Sequence, residues 1–343
     1  MNNMFYLSCV FLIFQVTGCK NYETLSRESY KVVEESEVIQ VFLDGEVSSR
    51  NSEISGLSWY NDYLVLLPQY PDNYGSKFEG AFFKISKSKI DTFLQSQNKA
   101  PLKPVKVDVN FNGLDPDLLS IGSGFEAITF LGDDVYLTIE CGEFFDTYAY
   151  ILKGKVVGDL ESIELYPDKM KKIESQTDIS NLSDEAILRN GKEIITIYEA
   201  NGANVNSEPY IHTFNTELNE ISRGRLANIE YRITDATDPD SLGRFWIINY
   251  MWEEDGNDLL PDEDAEFIKY GVGKTHKNSK SIERLLEFEF LGNDLKRTKT
   301  PPIYLELDKN NKSRNWEGLV RYENGFLIIT DKHPETILAY IKK

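Results

Sequence analysis

Short apolar strands separated by polar turns recur five times along the chain. Each copy opens with a small or acidic residue, followed by Gly or Ala, an apolar strand, a polar turn and a second, β-branched strand. Turns such as Asn190-Gly191 and Asn324-Gly325 tolerate positive φ at both positions, which is a strong hairpin signal. The pattern therefore predicts five β-hairpins. We call the residues that open them the lead residues: Ser55, Glu126, Glu185, Asp235 and Glu317.

A further strand-like stretch follows each hairpin. These stretches, each predicted to be a third strand, are residues 80–85, 148–152, 210–214, 266–270 and 338–341. Helical patterns are short and predict helices only at residues 87–95 and 168–174. The N-terminal run 30–43 is predicted to pair with the C-terminal strand, which would protect the exposed strand edges.

Five hairpins with third strands fit the blades of a β-propeller. The lead residues are separated by 71, 59, 50 and 82 positions, more than the ~40–50 residues of common propeller repeats. The two longest gaps leave room for a sixth blade. We therefore predict an all-β fold, a five- or six-bladed β-propeller, formed as one domain by residues 31–343.

The N-terminal segment has the features of an export signal. An apolar core occupies residues 5–14, and no charged side chain precedes Lys20; the core is too short to span a bilayer and has the length of a signal-peptide core. It ends in Val16-Thr17-Gly18-Cys19, which resembles the lipobox of bacterial lipoproteins, although no Lys or Arg precedes the core. This resemblance implies a signal peptide at 1–18, acylation of Cys19 by fatty acids such as palmitate, and a linker at 19–30.

Such a protein would lie in the bacterial cell envelope, outside the cytoplasm, held by membrane lipid on Cys19. In a Gram-negative cell the expected site is the outer membrane. The alternatives are a plain secretory signal or a buried apolar segment. With Cys9 removed and Cys19 acylated, Cys141 would be left without a disulfide partner.

Charge narrows the range of partners. The chain has 56 acidic and 37 basic residues, a net charge of −19 and a pI near 4.7. A field of this sign repels phosphate backbones, so nucleic acid is not expected as a partner, whereas cations are attracted. We expect a monomer.

Four of the five lead residues are carboxylates. In a propeller the innermost strands line a central channel, so equivalent side chains converge on one axis. A ring of acidic groups repels itself unless a cation lies among them, and Ca²⁺ takes ~6–8 oxygen ligands. The sequence predicts a calcium site at Glu126, Glu185, Asp235 and Glu317. The alternatives are that these residues hydrate the channel mouth, cap strand ends, or are balanced by Tyr or Lys near the axis.

Three short motifs resemble the phytase-like family, also called "esterase-like activity of phytase". Gly124-Phe125-Glu126-Ala127-Ile128, with Glu140 closing its hairpin, looks like the GFEGL…E signature of that family. Asn315-Trp316-Glu317-Gly318-Leu319, followed by Asp331, resembles its N-x-E-G-L…S-D segment, and Ile54-Ser55-Gly56-Leu57 its opening I-S-G-L. SdiA-regulated and calcium-activated nucleotidase propellers have similar leads.

The resemblance implies a propeller with a calcium site and a phosphoester or ester substrate. One departure is that Ala127 and Ala186 stand where the family usually has Gly, which leaves less room for backbone approach at the axis. If the protein is an enzyme, metal-assisted hydrolysis fits these residues. Glu140 is then the candidate general base, and Lys332 and His333 the candidates for meeting an anionic substrate.

These three residues also have purely structural explanations. Glu140 is suited to a strand end, and Lys332-His333 is suited to an exposed turn. A Ser-His-Asp hydrolase is disfavoured, because the sequence has no G-x-S-x-G motif and only three histidines. The competing function is a non-catalytic propeller that binds an envelope protein or a glycan through aromatic loops such as Trp59-Tyr60 and Tyr250–Trp252. The sequence leaves the choice between enzyme and binding module open.

Overall fold

The computed structural model describes residues 27–76, 78–114, 124–142 and 147–343. Strands dominate these residues, so the prediction of an all-β fold is confirmed. Within the described ranges, no helix has both the length and the apolar character needed to cross a membrane. The predicted signal peptide and Cys19 lie outside the described residues.

Two short strands, β1 (Val32–Val33) and β2 (Val38–Val41), precede a series of four-stranded antiparallel units. Unit 1 is built from the first predicted hairpin and its third strand, both confirmed. The predicted helix at 87–95 is also confirmed as α1 (Lys87–Gln95), which connects the last two strands of the unit. The strands of unit 1 are β3 (Ile54–Tyr60), β4 (Tyr63–Pro68), β5 (Glu79–Ser86) and β6 (Val105–Asn110).

Unit 2 corrects the second helix prediction. Its strands are β7 (Gly124–Leu131), β8 (Asp134–Cys141), β9 (Tyr148–Val157) and β10 (Ser162–Glu174). Residues 168–174 form the second half of β10, because the long edge of β9 supplies backbone partners as far as Glu174 and Ile173 is buried there. Such pairing outweighs local helix propensity. The start of β10 also pairs in parallel with β6 and joins units 1 and 2.

Unit 3 follows the predicted pattern, with β11 (Asp184–Asn190), β12 (Glu193–Tyr198), β13 (Tyr210–Phe214) and β14 (Glu220–Arg225). Unit 4 begins with β15 (Arg232–Ala236) and β16 (Arg244–Met251) but is then interrupted. An insertion of α2 (Gly256–Leu259), α3 (Ala265–Tyr270) and β17 (Val272–Gly273) precedes its outer strands. These are β18 (Ile282–Leu291), β19 (Asp294–Arg297) and the short β20 (Ile303–Tyr304).

The predicted third strand at 266–270 is therefore wrong, since these residues form α3 and β18 takes the third position. The helix is favoured because the Asp264 carboxylate accepts a hydrogen bond from Glu266 N at 2.9 Å and so caps its first turn. The helix also buries Phe267 while leaving Ile268 exposed, a division that the apolar run did not reveal.

Unit 5 closes the structure with a strand from the other end of the chain. Its own strands are β21 (Trp316–Tyr322), β22 (Gly325–Thr330) and β23 (Leu338–Lys342). The fourth is β2, which pairs antiparallel with β23 from Val38–Ile341 to Val41–Leu338. The predicted pairing of the N-terminal run with the C-terminal strand is thus confirmed for β2, whereas β1 pairs in parallel with β17.

The described residues contain five such units, and they form a ring. The first strands β3, β7, β11, β15 and β21 contact one another in this order, and β21 returns to contact β3. Separate clusters of buried apolar side chains fill the spaces between successive units, including the space between units 5 and 1. The core is therefore divided into layers around a central axis, and the first strands line that axis.

If β2 and β23 hold the ring closed, a cavity at their junction should be costly. We expect Leu338→Ala to lower the free energy of unfolding by about 2–5 kcal/mol, because Leu338 is fully buried and pairs with Val41. The matched control is Val105→Ala, at a side chain that is 51% exposed, with an expected change within about 0.5 kcal/mol. Urea unfolding followed by circular dichroism measures both, and equal effects would contradict the closure.

Candidate functional site

Each lead residue lies at a break in the pairing of its strand. The register between the first and second strands skips Ser55, Glu126, Glu185 and Glu317 in units 1, 2, 3 and 5. A skipped residue of this kind is a β-bulge, which bends the strand and redirects a side chain. In unit 4 the break is longer and covers both Thr234 and Asp235. Because the first strands occupy equivalent places in the ring, the bulges lie at corresponding positions around the axis.

Three of the four predicted metal ligands come together at one end of this axis. Glu126, Glu185 and Glu317 are buried and close enough that each pair affects the other electrostatically. Two further carboxylates join them from the ends of second strands: Glu140 in β8, and Asp331, which follows β22. We call these five side chains the carboxylate cluster: Glu126, Glu140, Glu185, Glu317 and Asp331.

Burial and mutual repulsion make the cluster hard to ionise. Burial, followed by the charges of Glu140 and Glu185, raises the pKa of Glu126 well above its usual range. Burial, followed by Asp331 and Glu185, does the same to the pKa of Glu317. The pKa values of Glu140 and Glu185 are raised to about 7, chiefly by burial. Burial and Glu53 raise the pKa of Asp331 to about 6. Burial and mutual repulsion therefore favour the protonated forms of these carboxyl groups unless other positive charge is supplied.

The residues that end the second strands form a matching set. The backbone N–H groups of Gln69, Glu199 and Asp331 each donate to the carbonyl two residues before the lead residue of the same unit, at 2.6–2.9 Å. Glu140 is paired with Gly124, which holds the same position in unit 2. The Gln69 amide also donates to Glu126 Oε1 at 3.0 Å. Sequence reasoning missed Gln69 and Glu199, because only the folded hairpins place these ends beside the leads.

One glycine makes room for this contact. A Cβ atom at Gly124 would lie 2.5 Å from Cγ of Gln69, closer than atoms approach in proteins. The glycine of the Gly124-Phe125-Glu126 motif thus lets the Gln69 side chain cross the start of β7 and reach Glu126.

The cation of the site is Arg232, the first residue of β15. It forms an ion pair with Glu199 through Nε, and its Nη atoms lie 3.6 Å from Glu185 Oε1 and 3.8 Å from Asp255 Oδ2. Burial opposes the charged form of Arg232, but Glu185 and Asp255 outweigh it and raise the pKa of the guanidinium. Sequence reasoning missed this residue, whose only signal was its place three positions before the lead residue of unit 4.

The fourth predicted ligand, Asp235, has a different set of contacts. Its Oδ1 accepts a hydrogen bond from Ala236 N at 2.7 Å, and its Oδ2 accepts one from Leu319 N at 2.6 Å. The carboxylate therefore links unit 4 to the first strand of unit 5. Both carboxylate oxygens of Asp235 thus accept hydrogen bonds from backbone N–H groups.

Hydroxyl groups in the same bulge and in the bulge of unit 1 have a similar linking function. Thr234 Oγ1 donates to the carbonyl of Trp316 at 2.6 Å, and Ser55 Oγ donates to the carbonyl of Phe125 at 2.5 Å. Both carbonyls directly precede a glutamate of the cluster. Units 4 and 1 thus contribute side chains that fix the backbone from which Glu317 and Glu126 extend.

The predicted substrate-binding residues lie beside the cluster, directly after Asp331. Lys332 forms an ion pair with Glu53 at 2.7 Å, and His333 is exposed. Arg50, which sequence reasoning missed, donates to the Lys332 carbonyl at 3.2 Å and lies 3.0 Å from His333 Nδ1. Partial burial, followed by the charges of Arg50 and Lys332, lowers the pKa of His333. The three side chains form a rim on one side of the acidic site, in which Arg50 and Lys332 supply positive charge and the lowered pKa favours the neutral imidazole of His333.

Several oxygens of the site have unused bonding capacity. Glu140 Oε2, Glu199 Oε2 and Asp331 Oδ1 are buried, and none has a hydrogen-bond partner within the described part of the chain. In the same part of the chain, no group of three or more His, Cys, Asp or Glu side chains is arranged so that it could hold a metal ion as it stands. The carboxylate oxygens of the site are hard donors of the kind that Ca²⁺ prefers, but they do not converge on one point.

No protein-family model and no curated protein matches the sequence. Solved structures with a similar chain path include a glycoside hydrolase of the GH130 mannoside phosphorylase family that targets β-1,2 mannosidic linkages in Candida mannan. It is 10% identical over 91% of this chain and 96% of its own, with a TM-score of 0.49. A glycosyl hydrolase from Bacteroides ovatus is 11% identical over 92% and 95%, with a TM-score of 0.48.

A third similar structure is a putative glycoside hydrolase from Parabacteroides distasonis. It is 11% identical over 93% of this chain and 95% of its own, with a TM-score of 0.47. With all three TM-scores below 0.5, these similarities assign no activity to the chain.

The raised pKa values predict how stability depends on pH. Between the ordinary carboxyl pKa near 4.3 and the value of about 7 for Glu140, the folded protein binds more protons than the unfolded chain. Stability should therefore fall as pH rises from 5 to 8 in the presence of a chelator. Glu140→Gln removes one such group, so its loss of stability over this range should be smaller by on the order of 1–3 kcal/mol.

Urea unfolding at several pH values measures this difference. The matched control is Glu164→Gln, the same change at an exposed side chain of β10, which should leave the slope of the wild-type protein unaltered. A Glu140→Gln variant with the same slope as the control would show that Glu140 is ionised without cost in the fold.

Proposed function

We propose that the protein is a five-bladed β-propeller whose carboxylate cluster binds a divalent cation, with Ca²⁺ as the expected ion. The blades are the five units, and the first strand of each is innermost. The observation that supports the proposal is the burial of five carboxylates around the buried guanidinium of Arg232, with unused oxygens on Glu140 and Asp331. Buried charges of one sign are costly unless they are paired or bind a metal. A cation would supply the positive charge that Arg232 alone does not.

The chemistry of the donor set fits Ca²⁺, which accepts carboxylates in flexible arrangements of ~6–8 oxygens. Glu126, Glu185, Glu317 and Asp331 are the residues that would hold it, and Glu140 stays outside this ligand set. Asp235 is left out of this proposed set because the backbone N–H groups of Ala236 and Leu319 already bind its two oxygens.

We further propose that the site hydrolyses a phosphoester or carboxylic ester. A bound Ca²⁺ would supply the positive charge that polarises the phosphoryl or carbonyl oxygen. Glu140, with a pKa of about 7, is suited to accept a proton from the attacking water near neutral pH. Arg50, Lys332 and His333 would orient the anionic part of the substrate from the rim.

A second candidate function is binding without catalysis, with a glycan or envelope protein as ligand. The observation that favours it is the aromatic border of the site. Burial and then the charge of Glu126 raise the pKa of Tyr70 to about 12, which places this ring beside the cluster, and Trp252 lies with its ring centroid 6.3 Å from that of His333. Aromatic faces beside carboxylates are suited to sugars, which present apolar faces and hydroxyl groups.

We also propose that the protein is anchored to the cell-envelope membrane through acylated Cys19. The support is the Val16-Thr17-Gly18-Cys19 sequence behind an apolar core. Acylation with two chains is sufficient for stable anchoring without a membrane-spanning helix.

Calorimetric titration of residues 20–343 with Ca²⁺ tests the cation site. We expect saturable binding that Glu126→Gln/Glu317→Gln abolishes, because this double variant removes two of the four proposed ligands. The matched control is Glu164→Gln/Glu208→Gln, which makes the same charge change at exposed side chains and should bind like the wild type. Absence of binding in the wild type would rule out the cation site and metal-assisted hydrolysis.

If Ca²⁺ binds, ester and phosphoester turnover measured with and without a chelator separates the two functions. Loss of turnover on chelation, and in Glu140→Gln at unchanged Ca²⁺ affinity, supports the hydrolase. A melting temperature that rises with Ca²⁺ without turnover of any ester supports the binding module.

Metabolic labelling with palmitate tests the anchor. In a bacterial host, the wild-type chain should incorporate label and partition with membranes, whereas Cys19→Ala should do neither. Cys141→Ala is the matched control, since this cysteine is buried in unit 2 and should not affect labelling. An unlabelled wild-type chain in the soluble fraction would contradict the proposal.

A further inference from the structure

The N-terminal segment is fixed to the insertion of unit 4 by one buried arginine. The guanidinium of Arg27 is only 6% exposed and donates to four backbone carbonyls of a single loop. The acceptors, at 2.5–3.2 Å, are the carbonyls of His276, Ser279, Lys280 and Ser281. Its Cζ also lies 4.9 Å from the ring centroid of Phe267 in α3. A guanidinium has five donors in a fixed geometry, so this contact defines where the segment meets the domain.

The distance from this point to the proposed lipid anchor is short. Eight residue steps separate Cys19 from Arg27, and a fully extended chain covers at most about 29 Å over that length. Beyond Arg27 the segment continues into β1, which pairs with β17 of the insertion. An acylated Cys19 would therefore keep the insertion of unit 4 close to the bilayer.

The surface around this point differs in charge from the rest of the protein. Residues 265–281 contain four lysines and one acidic residue, Glu266, a formal charge of +3 in a chain whose net charge is −19. Glu266 is buried and paired with Arg297 at 3.0 Å. One apolar side chain, Ile268, is 59% exposed. We call this surface the docking face: Ile268, Lys269, Lys274, Lys277 and Lys280.

We infer that the docking face lies against the anionic headgroups of the membrane that anchors Cys19. This inference rests on the proposed acylation. Lysines near an anionic bilayer add to the affinity of a lipid anchor, and an exposed apolar side chain such as Ile268 adds to it by partial insertion. Charge on the acidic remainder of the chain favours the same orientation, since anionic headgroups repel it. Three nearby carboxylates limit the face: Glu253 is 3.6 Å from Lys280, and the exposed Asp262 and Glu263 precede α3.

This orientation turns the carboxylate cluster toward the bilayer. The insertion leaves unit 4 at the end of β16, the second strand, which is the end of the ring where Glu140 and Asp331 also end or follow their second strands. Asp255 at the start of the insertion lies 3.8 Å from Arg232. The docking face and the cluster thus belong to the same end of the ring, and the cluster is presented to ligands at the membrane surface.

Fluorescence quenching in vesicles tests the orientation. The acylated full chain is labelled at Asn278→Cys, beside the docking face, or at Ser241→Cys, in the exposed β15–β16 turn at the opposite end of unit 4. It is reconstituted into vesicles of phosphatidylcholine and phosphatidylglycerol that contain a nitroxide-headgroup lipid. We expect quenching at position 278 and little at position 241, with a difference that decreases at high salt.

A charge variant separates the contribution of the docking face from that of the lipid anchor. Lys269→Gln/Lys274→Gln/Lys277→Gln should lessen quenching at position 278, and it should lower the partition of an unacylated chain onto anionic vesicles by about fivefold per lysine. The matched control, Lys155→Gln/Lys171→Gln/Lys192→Gln, makes the same charge change at exposed sites and should have little effect on either.

The outcomes distinguish the two proposals. A chain that floats with the vesicles but is quenched equally at both positions retains the anchor and overturns the orientation. A chain that fails to float with them refutes the anchor, and this inference with it.

Discussion

The burial of like charges at one axis is the constraint on which the rest of the structure depends. Five carboxylates share a space with one guanidinium that is already paired with Glu199. Transfer of an unpaired ion from water to a protein interior costs several kcal/mol, and burial accordingly raises the pKa of Glu126 and of Glu317. The apolar layers between the units must offset it, and the junction of β2 with β23 keeps those layers in a closed ring. Stability is thus supplied between the units, while the axis holds the buried carboxylates.

The sequence predicted the repeating part of the fold well. Polar turns between apolar and β-branched runs encode hairpins locally, so the first two strands of each unit, and the third strand of four units, could be found without the structure. The two predicted Asn-Gly turns are each displaced by one residue, to Gly191-Lys192 and Glu323-Asn324. Local sequence patterns did not predict the secondary structure correctly where tertiary contacts determine it. Residues 168–174 became strand because β9 offered a long edge, and residues 266–270 became helix because Asp264 caps them and Phe267 is buried.

The candidate site shows the same division. The recurrence of glutamate at lead positions was sufficient to predict that Glu126, Glu185 and Glu317 lie together, because equivalent strands of a ring place equivalent residues at one depth. The same recurrence did not predict the position of Asp235, although this residue is also a carboxylate at the same place in the repeat. The bulge of unit 4 spans two residues instead of one, so the shorter carboxylate meets backbone N–H groups. Arg232 belongs to no repeated pattern, and the matching place of Gln69 at the end of a second strand becomes visible only in the closed ring.

The departures of Asp235 and Arg232 from the repeat both lie in unit 4, and together they account for the asymmetry of the site. Where units 2, 3 and 5 direct a glutamate to the axis, unit 4 directs Arg232, because its longer bulge withdraws Asp235 into the backbone. The same unit carries the insertion that supplies Asp255 to Arg232 and receives the N-terminal segment through Arg27. A ring of five equal units would have no preferred orientation about its axis. Since Arg232, the insertion and the contact of Arg27 all belong to one unit, the position of Arg232 in the site is fixed relative to the N-terminal segment.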